Sequence, residues 1–442
     1  MIGARIAATA PALAAALALL SAGCGNSAGQ GGAGGGGGTG AGGSGGLGPA
    51  RPGEIATIAG TGERATQSSD EDADGVPDPP IAHDRARFDS PIDMTVDASG
   101  SVWILDWNGH KVRRLSQDGM VEFVVGTGIE GDACEKPRSD GSCPLLAAEL
   151  NHMTDVVLDA TGRLVIAAWH NAKIKVADLA SDALRDTCGS GTRRFMGDGG
   201  PCVDTAGMPL VAFDLPSSLA YDAHGNLFIA DQANQVVRRL GGDGVIKTVA
   251  GNCPVGVFGC PMGQGYSGDG GMATAAHLRN NLGQGADPQG KIAIDGAGNL
   301  YIADTGNHVV RKVVPGADGV LGSGPPEEEL ITTFAGIGTA GYGGDDGPAA
   351  AAKLNEPHDV AVGPDGSVFI ADTGNNCVRR VAPDGIISTA AGQCASMGAF
   401  GGDGGPAVQA RLYRPYGVAV DRHGNLFIAD TSNNRVRQVN AN

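Results

Sequence analysis

The stretch GNLYIADTGNHVVRKV, residues 298–313, decides the fold because the chain repeats it. Close variants are GSVFIADTGNNCVRRV at 366–381 and GNLFIADTSNNRVRQV at 424–439. Alignment on the first glycine finds six copies, roughly 58 to 73 residues apart, which is typical of a repeat architecture. The aligned glycines are Gly100, Gly162, Gly225, Gly298, Gly366 and Gly424.

Each copy contains short β-rich runs separated by turns. In the last copy these runs are GVAV (417–420), LFIAD (426–430) and RVRQV (435–439). Other copies continue into a fourth run, such as IISTAAG (386–392). Four antiparallel strands per repeated unit predict an all-β fold, a β-propeller.

The two ends of the chain predict how the ring closes. The sixth copy stops after its third run, whereas EIATIAGTG (54–62) matches the fourth runs VEFVVGTG (121–128) and LITTFAGIG (330–338). We therefore expect the N-terminal strand to complete the last of six blades. Pairing the two ends in one sheet would also cover exposed sheet edges.

These units resemble NHL repeats, on the quoted stretches and the preceding P-x-x-V-A-V-D pattern of Pro415 to Asp421. The resemblance covers residues 54–442 and is strongest in copies 3 to 6. NHL domains form six-bladed propellers, so the resemblance implies the same blade number as the count of strands.

An acidic and a basic residue recur in fixed slots of the repeat. A residue that returns in every blade is expected to serve the scaffold, since a ligand needs a given group only once or twice. We expect the acid to bond turn N–H groups and the base to cover apolar surface with its stem. The slots hold Asp106, Ala168, Asp231, Asp304, Asp372 and Asp430, and then Arg113, Lys175, Arg238, Arg311, Arg379 and Arg437.

The N-terminal segment is predicted to be an export signal. Residues 1–23 combine Arg5 with a short apolar run that ends in small residues. The sequence LLSAGCG (19–25) resembles the lipobox of bacterial lipoproteins, which implies that Cys24 is lipidated. An ordinary signal peptide with a chance cysteine is the alternative. Residues 24–53 predict a lipidated Gly-rich tether, and 54–442 the propeller. The protein is thus expected at the bacterial cell envelope, on the outer membrane, held only by its lipid anchor.

Charge and cysteine content limit the partners and the compartment. A net charge of −17 argues against nucleic acid as a partner, and we expect a monomer. Eight cysteines remain after Cys24, an even number that favours disulfides in an exported chain. The expected local pairs are Cys134 with Cys143, Cys188 with Cys202, Cys253 with Cys260, and Cys377 with Cys394.

The candidate binding site lies where the first strand of each blade begins. The long connections between blades are 63–90, 128–152, 189–215, 251–288, 336–356 and 392–414, all predicted on one face. The residues that open the first strands should ring the channel mouth on this face. These non-repeating polar residues are Asp93, Asp155, Ser217, Ser218, Lys291, His358, Asp359 and Tyr416. Ordinary water binding at a wet channel is the alternative role.

Two further kinds of motif are similar to sequences that bind nucleotides or metal ions. GIGTAG (336–341) and GTGIEG (126–131) match a dinucleotide pattern but lack the following helix, so we reject that interpretation. DEDADGVPD (70–78) resembles thrombospondin type 3 calcium loops, which makes calcium a possible cofactor; no other cofactor is expected. Its candidate ligands are Asp70, Asp72, Asp74 and Asp78.

NHL propellers include the peptidyl-hydroxyglycine lyases, which hold zinc through histidines near the channel. NEPHDV (355–360) resembles one such segment, with His358 in the ligand slot, but the other slots hold Ser217, Tyr416 and Thr154. The sequence therefore favours a non-catalytic protein that binds a protein, peptide or glycan through its long-loop face. A metal-assisted lyase or hydrolase at the channel mouth and a purely architectural role remain alternatives. The enzyme alternative would use Asp93, Asp155, His358 and Asp359.

Overall fold

The computed structural model describes residues 51–65, 79–254, 260, 263–282 and 287–441. The predicted signal, Cys24, the tether up to residue 50 and the aspartates predicted for calcium lie outside these residues. Within the described part of the chain, no helix has the length and apolar character needed to cross a bilayer.

Short strands make up most of the described secondary structure. In chain order they are β1 Glu54–Ala59, β2 Ile81–Ala82, β3 Pro91–Val96, β4 Val102–Asp106, β5 Lys111–Leu115, β6 Met120–Val125, β7 Met153–Leu158, β8 Leu164–Ala168, β9 Lys173–Asp178, β10 Ala183–Cys188, β11 Pro216–Tyr221, β12 Leu227–Asp231, β13 Val236–Leu240, β14 Ile246–Ala250, β15 Gly271–Met272, β16 Ile292–Ile294, β17 Leu300–Asp304, β18 Val309–Val314, β19 Leu330–Ala335, β20 Gly347–Pro348, β21 Pro357–Val362, β22 Val368–Asp372, β23 Cys377–Val381, β24 Ile386–Ala391, β25 Gly405–Pro406, β26 Gly417–Val420, β27 Leu426–Asp430 and β28 Arg435–Val439.

Single turns of 3₁₀ helix occur in the connections. Those in the described residues are Leu145–Ala147, Gln232–Asn234, Ala273–Ala275, Thr305–Asn307, Pro326–Glu328, Ala349–Ala351, Thr373–Asn375, Ala407–Gln409 and Thr431–Asn433.

The strands form six antiparallel sheets, which are the six blades of a β-propeller. Blades 1 to 5 begin with β3, β7, β11, β16 and β21, and blade 6 begins with β26. These first strands contact one another in sequence around the ring, and β26 returns to β3. The predicted fold class and blade number are confirmed.

The predicted closure of the ring is confirmed as well. Strand β1 lies between β28 and the short edge strand β25, so the last sheet has the order β25-β1-β28-β27-β26. Ile55 pairs with Val439 on one side and with Gly405 on the other. The first described strand is therefore the fourth strand of blade 6.

The hydrophobic core consists of wedges between neighbouring blades. In β17, Leu300 and Ile302 pack toward blade 3, while Tyr301 and Ala303 pack toward blade 5. Both faces of each blade are thus buried, which is why its second strand is a continuous apolar run without polar alternation.

Glycine ends the fourth strands for a steric reason. Gly60, Gly126 and Gly336 have φ of 105°, 101° and 97°. At Gly60 a Cβ atom would lie 2.5 Å from the carbonyl oxygen of Asn434. The Gly-x-Gly sequences therefore stop strands where two backbone segments approach closely.

The recurring acid has the predicted scaffold role, but the recurring base was assigned wrongly. Asp372 Oδ1 accepts a hydrogen bond from the Asn355 N–H at 2.7 Å, and Asp304 and Asp430 bind their connections in the same way. The Arg379 head group is not in solvent: it is fully buried, paired with Asp372 and Asp345, and stacked over Tyr342. Burying a guanidinium requires such partners, because an unpaired buried charge is costly.

Three of the four predicted disulfides are present: Cys134–Cys143, Cys188–Cys202 and Cys377–Cys394. The fourth pair, Cys253 and Cys260, is not formed in this structure. Each thiol is directed instead at a carbonyl oxygen, that of Pro254 for Cys253 and that of Asn252 for Cys260, both at 3.7 Å. Burial raises the pKa of the Cys253 thiol, which disfavours the reactive thiolate.

Candidate functional site

The long-loop face is the face of the ring that carries the blade-to-blade connections and the turns between second and third strands. On it, two consecutive backbone N–H groups precede each first strand. In five blades the first N–H binds the acid of its own blade, and blade 2, which has Ala168 in that slot, is the exception. In five blades the second N–H binds a side chain of the preceding blade, and blade 3, which follows Ala172, is the exception. At the last junction, Arg414 N–H donates to Asn376 Oδ1 at 2.8 Å. Equivalent bonds to Gln235, His308 and Asn434 join other blades.

At the centre of this face, an ion pair joins blades 1 and 4. Lys291 Nζ lies 2.9 Å from an oxygen of Asp93 and 3.9 Å from an oxygen of Asp359 in blade 5. All three residues are at most 5% exposed. The structure thus brings together three of the predicted ring residues, from three different blades.

Burial of several charges perturbs their pKa values. Burial raises the pKa of Asp93 well above its ordinary value and that of Asp359 to about 6, against the attraction of Lys291. Burial alone would lower the pKa of Lys291, but the Asp93 and Asp359 carboxylates outweigh it and raise that pKa. Lys291 is therefore positively charged, whereas the carboxyl groups of Asp93 and Asp359 hold a proton more readily than an exposed aspartate does.

Asp155 and Ser218 lie next to this ion pair, since the Ser218 hydroxyl accepts a hydrogen bond from the N–H of Ile292, adjacent to Lys291, at 3.1 Å. Asp155 Oδ2 accepts hydrogen bonds from the Ser218 hydroxyl at 2.5 Å and from the Leu219 N–H at 2.7 Å. The hydroxyl of Ser217 is fully buried and has no hydrogen-bond partner among the described residues. Asp155 is thus a link between blades 2 and 3.

His358 and Tyr416 contact each other across blades 5 and 6. Their rings meet edge to face, with centroids 4.5 Å apart. Burial lowers the pKa of His358 to about 4, and its Nδ1 lies 2.9 Å from the Glu356 carbonyl oxygen. The neutral ring therefore donates from Nδ1, and its buried Nε2 is an acceptor with no partner in the described part of the chain.

The channel mouth is more enclosed than the sequence predicted. Asp287, in the connection from blade 3 to blade 4, reaches blade 6 on the other side of the ring. Its Oδ2 accepts hydrogen bonds from Tyr416 at 2.9 Å and from Arg414 at 3.1 Å. Tyr416 is 7% exposed and His358 1%, so the expected open, wet ring is a buried one. The Arg414 and Asp287 side chains, 36% and 45% exposed, present this network to solvent.

The ring does not have the arrangement of a metal-assisted active site. The Lys291 ammonium already lies against Asp93, where a metal ion would be expected. Asp359 accepts the N–H groups of Val360 and Val418, both at 2.8 Å. The carboxylates are thus occupied by donors of the chain itself, and only one histidine is present.

Cavities also occur on the opposite face, between the tight turns of neighbouring blades. One of about 370 Å³ lies between the turns at Asp97 and Asp421. These aspartates bind the N–H groups of their own turns, at Ser99 and Ser101 and at His423 and Asn425. The cavity is therefore a gap between repeated turns, and its aspartates are already occupied by hydrogen bonds within those turns.

A second cluster, which the sequence analysis missed, lies at the junction of blades 1 and 2 on the long-loop face. This histidine cluster consists of His110, His152, His170 and Glu130. Possible ligand atoms of His110, Glu130 and His152 all lie within 4.8 Å of one another, and Nδ1 of His152 lies 3.1 Å from Nδ1 of His170. The signal was the concentration of three of the chain's nine histidines in the two weakest copies of the repeat.

Comparison with known proteins agrees with this architecture. The NHL repeat family model matches residues 354–381 and 412–439, in blades 5 and 6. Mouse (Mus musculus) teneurin-1 is 24% identical over 412 residues, which cover 89% of this chain and 14% of teneurin-1. Bovine (Bos taurus) NHL repeat-containing protein 2 is 25% identical over 317 residues, which cover 66% of this chain and 39% of that protein. The chain therefore spans less than half of these relatives.

A crystal structure described as an auxiliary nutrient binding protein from Bacteroides thetaiotaomicron has a similar fold. Its TM-score is 0.55 at 12% sequence identity, and the match covers 87% of this chain and 75% of that one. Such low identity shows the fold alone. Together, the matched repeats, the six sheets and the ring closed by β1 identify the protein as a six-bladed β-propeller with NHL repeats.

Proposed function

We propose that the protein is an exported, lipid-anchored binding protein of the bacterial envelope that takes a protein, peptide or glycan ligand at the channel mouth. It acts as a monomer and has no catalytic activity. The observation that carries the proposal is the network of Arg414, Tyr416 and Asp287, which joins opposite sides of the ring and in which Arg414 and Asp287 remain partly exposed.

The chemistry around this network suits recognition of a polar group. Arg414 offers a guanidinium at the surface, while His358, whose ring contacts Tyr416, has a buried Nε2 without a partner among the described residues. None of these residues recurs at its slot in the other blades, so the scaffold does not require them. Binding energy commonly concentrates in a few such central residues.

The structural neighbour described as a nutrient binding protein supports binding as a role for this architecture. The lipobox-like sequence around Cys24 supports anchoring at the envelope. Growth in labelled palmitate, followed by mass analysis of wild type and Cys24→Ser, tests the anchor. Absence of label from wild type would refute it.

Simple alanine substitutions would test the site poorly, because Tyr416 and His358 are buried and their truncation would leave cavities. Arg414→Gln and Tyr416→Phe remove the polar groups and keep most of the volume. We expect each to weaken capture of the ligand from fractionated envelope proteins and glycans at least tenfold, with unchanged thermal unfolding. The matched control is Arg422→Gln, an arginine in a turn on the opposite face. Equal binding by all variants would contradict the proposed site.

A further inference from the structure

We propose that the histidine cluster is a transition-metal site, with Zn²⁺ bound by His110, His152 and Glu130. It lies on the long-loop face at the junction of blades 1 and 2, away from the channel ring. The proposal is independent of the ligand-binding function.

The first argument is geometric. Zinc binds imidazole nitrogen and carboxylate oxygen at about 2.0–2.2 Å in tetrahedral sites, so neighbouring ligand atoms lie roughly 3.3 Å apart. The three candidate ligand atoms all lie within 4.8 Å of one another. Small changes in side-chain torsion would therefore bring the donors to metal-binding separation.

The second argument comes from the repeat. His110 occupies the slot that holds a blade-to-blade hydrogen bond elsewhere, and its Nδ1 is 3.4 Å from the His152 N–H. His308 fills the same slot in blade 4 and binds the Glu356 N–H at 3.1 Å. The scaffold thus explains one histidine. It does not explain why the residue that supplies this N–H is itself a histidine, His152. Nor does it explain why the carboxylate of Glu130 lies within reach of both His110 and His152.

The third argument is that neighbouring groups orient the rings. His152 Nδ1 lies 2.7 Å from Asn151 Oδ1, which favours Nδ1–H and leaves Nε2 as an electron-pair donor. Trp107 contacts the His152 ring edge to face at 5.2 Å, and Trp169 stacks on His170 at 4.3 Å. Rings held by such contacts lose little freedom when a metal binds.

The donor set indicates which metal is favoured. Two imidazoles and one carboxylate suit zinc, copper or nickel, whereas calcium and magnesium prefer oxygen ligands. A tetrahedral site with three protein ligands and one position left for water is typical of zinc.

Titration of the purified, metal-stripped protein tests the proposal. We expect one Zn²⁺ per chain by calorimetry, a tetrahedral visible spectrum with Co²⁺, and a higher thermal midpoint with Zn²⁺. Cu²⁺ should quench tryptophan fluorescence, because two of the three tryptophans contact the cluster. A chain that takes up no metal, or that binds Ca²⁺ in preference, would overturn the proposal.

Two variants assign the ligands. His152→Ala should weaken Zn²⁺ binding by more than the roughly 10–100-fold that loss of an outer-shell partner costs. Glu130→Gln, at an exposed residue, should weaken it at least tenfold without affecting folding. The matched control is His308→Ala, the same repeat slot as His110 in another blade. The double variant Cys253→Ser/Cys260→Ser tests whether the two free thiols bind the metal instead, and it should bind Zn²⁺ as tightly as wild type does. Equal loss in the controls, or none in Glu130→Gln and His152→Ala, would refute the site.

Discussion

Blade 5 and blade 2 satisfy the same backbone by different means. In blade 5, Asp372 accepts the N–H of Asn355, the amide of Asn375 and the guanidinium of Arg379. Blade 2 has the buried Ala168 at that slot, and Asn171 Oδ1 accepts the corresponding N–H, from Asn151, at 3.2 Å.

The bases differ in the same way. Where blade 5 has a buried arginine, blade 2 has Lys175, whose Nζ lies 2.7 Å from both Asp132 and Asp186. Lys173 contacts the same two carboxylates. The fold therefore requires a satisfied N–H and a paired cation, and the Asp–Arg pair is one way of meeting these requirements. Blade 2 departs from the repeat and also contributes to the histidine cluster.

The largest expected difference concerns the two bases. Arg379→Met leaves the buried Asp372 carboxylate and the partly exposed Asp345 carboxylate without their cation, which should cost about 3–5 kcal/mol of unfolding free energy. Lys175→Met should cost about 1 kcal/mol, because Lys173 still pairs with both carboxylates and the site is partly solvated. Denaturant unfolding measures both values. Arg380→Met, at a more exposed position, is the control, and equal losses in the two blades would contradict the comparison.

The second prediction concerns pH. Burial raises the pKa of Asp372 to about 6 in the folded state, above its ordinary value of 3.8. The folded chain thus binds this proton more tightly than the unfolded chain, so the contribution of Asp372 to stability falls as pH rises from about 4 to 6.

Asp372→Asn removes this pH dependence. Between pH 4 and pH 6, the unfolding free energy of the variant should therefore rise relative to that of wild type by up to about 3 kcal/mol. The measurement is unfolding free energy at pH 4, 5, 6 and 7. Asn171→Ala in blade 2 removes no titrating group and should shift all four values equally. Parallel curves for wild type and Asp372→Asn would refute the assignment.

The third prediction tests the substitute in blade 2. Asn171→Ala leaves the Asn151 N–H without its acceptor and should cost about 1–2 kcal/mol. Adding Ala168→Asp to this variant restores the acceptor used by the other blades and should recover part of the loss. Thermal and denaturant unfolding of the single and double variants measure the coupling. A double variant less stable than Asn171→Ala would show that blade 2 no longer accommodates the carboxylate.

The smallest expected effect is an increase in stability. Ala172 has φ of 52° at the slot where other blades carry a side chain that binds the next blade. Asn tolerates this left-handed conformation better than Ala, and its amide could reach the next blade as Asn376 does. Ala172→Asn should stabilise by about 0.5–1 kcal/mol. A lower thermal midpoint would mean that Trp169 and Leu215 leave no space for the amide.

The strands, the blade number and the closure of the ring could be predicted because they depend on local periodicity and on matching the fourth strands. The scaffold role of Asp372 followed from its recurrence. The burial of the Arg379 head group did not, since an arginine in a turn-rich repeat has no local signature of its partners. Nor does any pattern encode that Asp287 reaches across the ring to Tyr416, which is why the channel mouth was expected to be open. The histidine cluster was missed because His110 and His152 are far apart in sequence and fill slots that vary between blades.

The pairing of β1 with β28 has a consequence for how the molecule is made. Arg435 donates to the carbonyl oxygen of Thr61, 374 positions earlier in the chain. At roughly 5–20 residues per second, synthesis leaves β1 without its partner for tens of seconds. During that time Ile55 and Ile58, which are buried in the closed ring, lack the neighbours from blade 6 that bury them. Insertion of β1 into blade 6 of a second copy would give a domain-swapped dimer, which is the form of misassembly that this way of closing the ring makes possible.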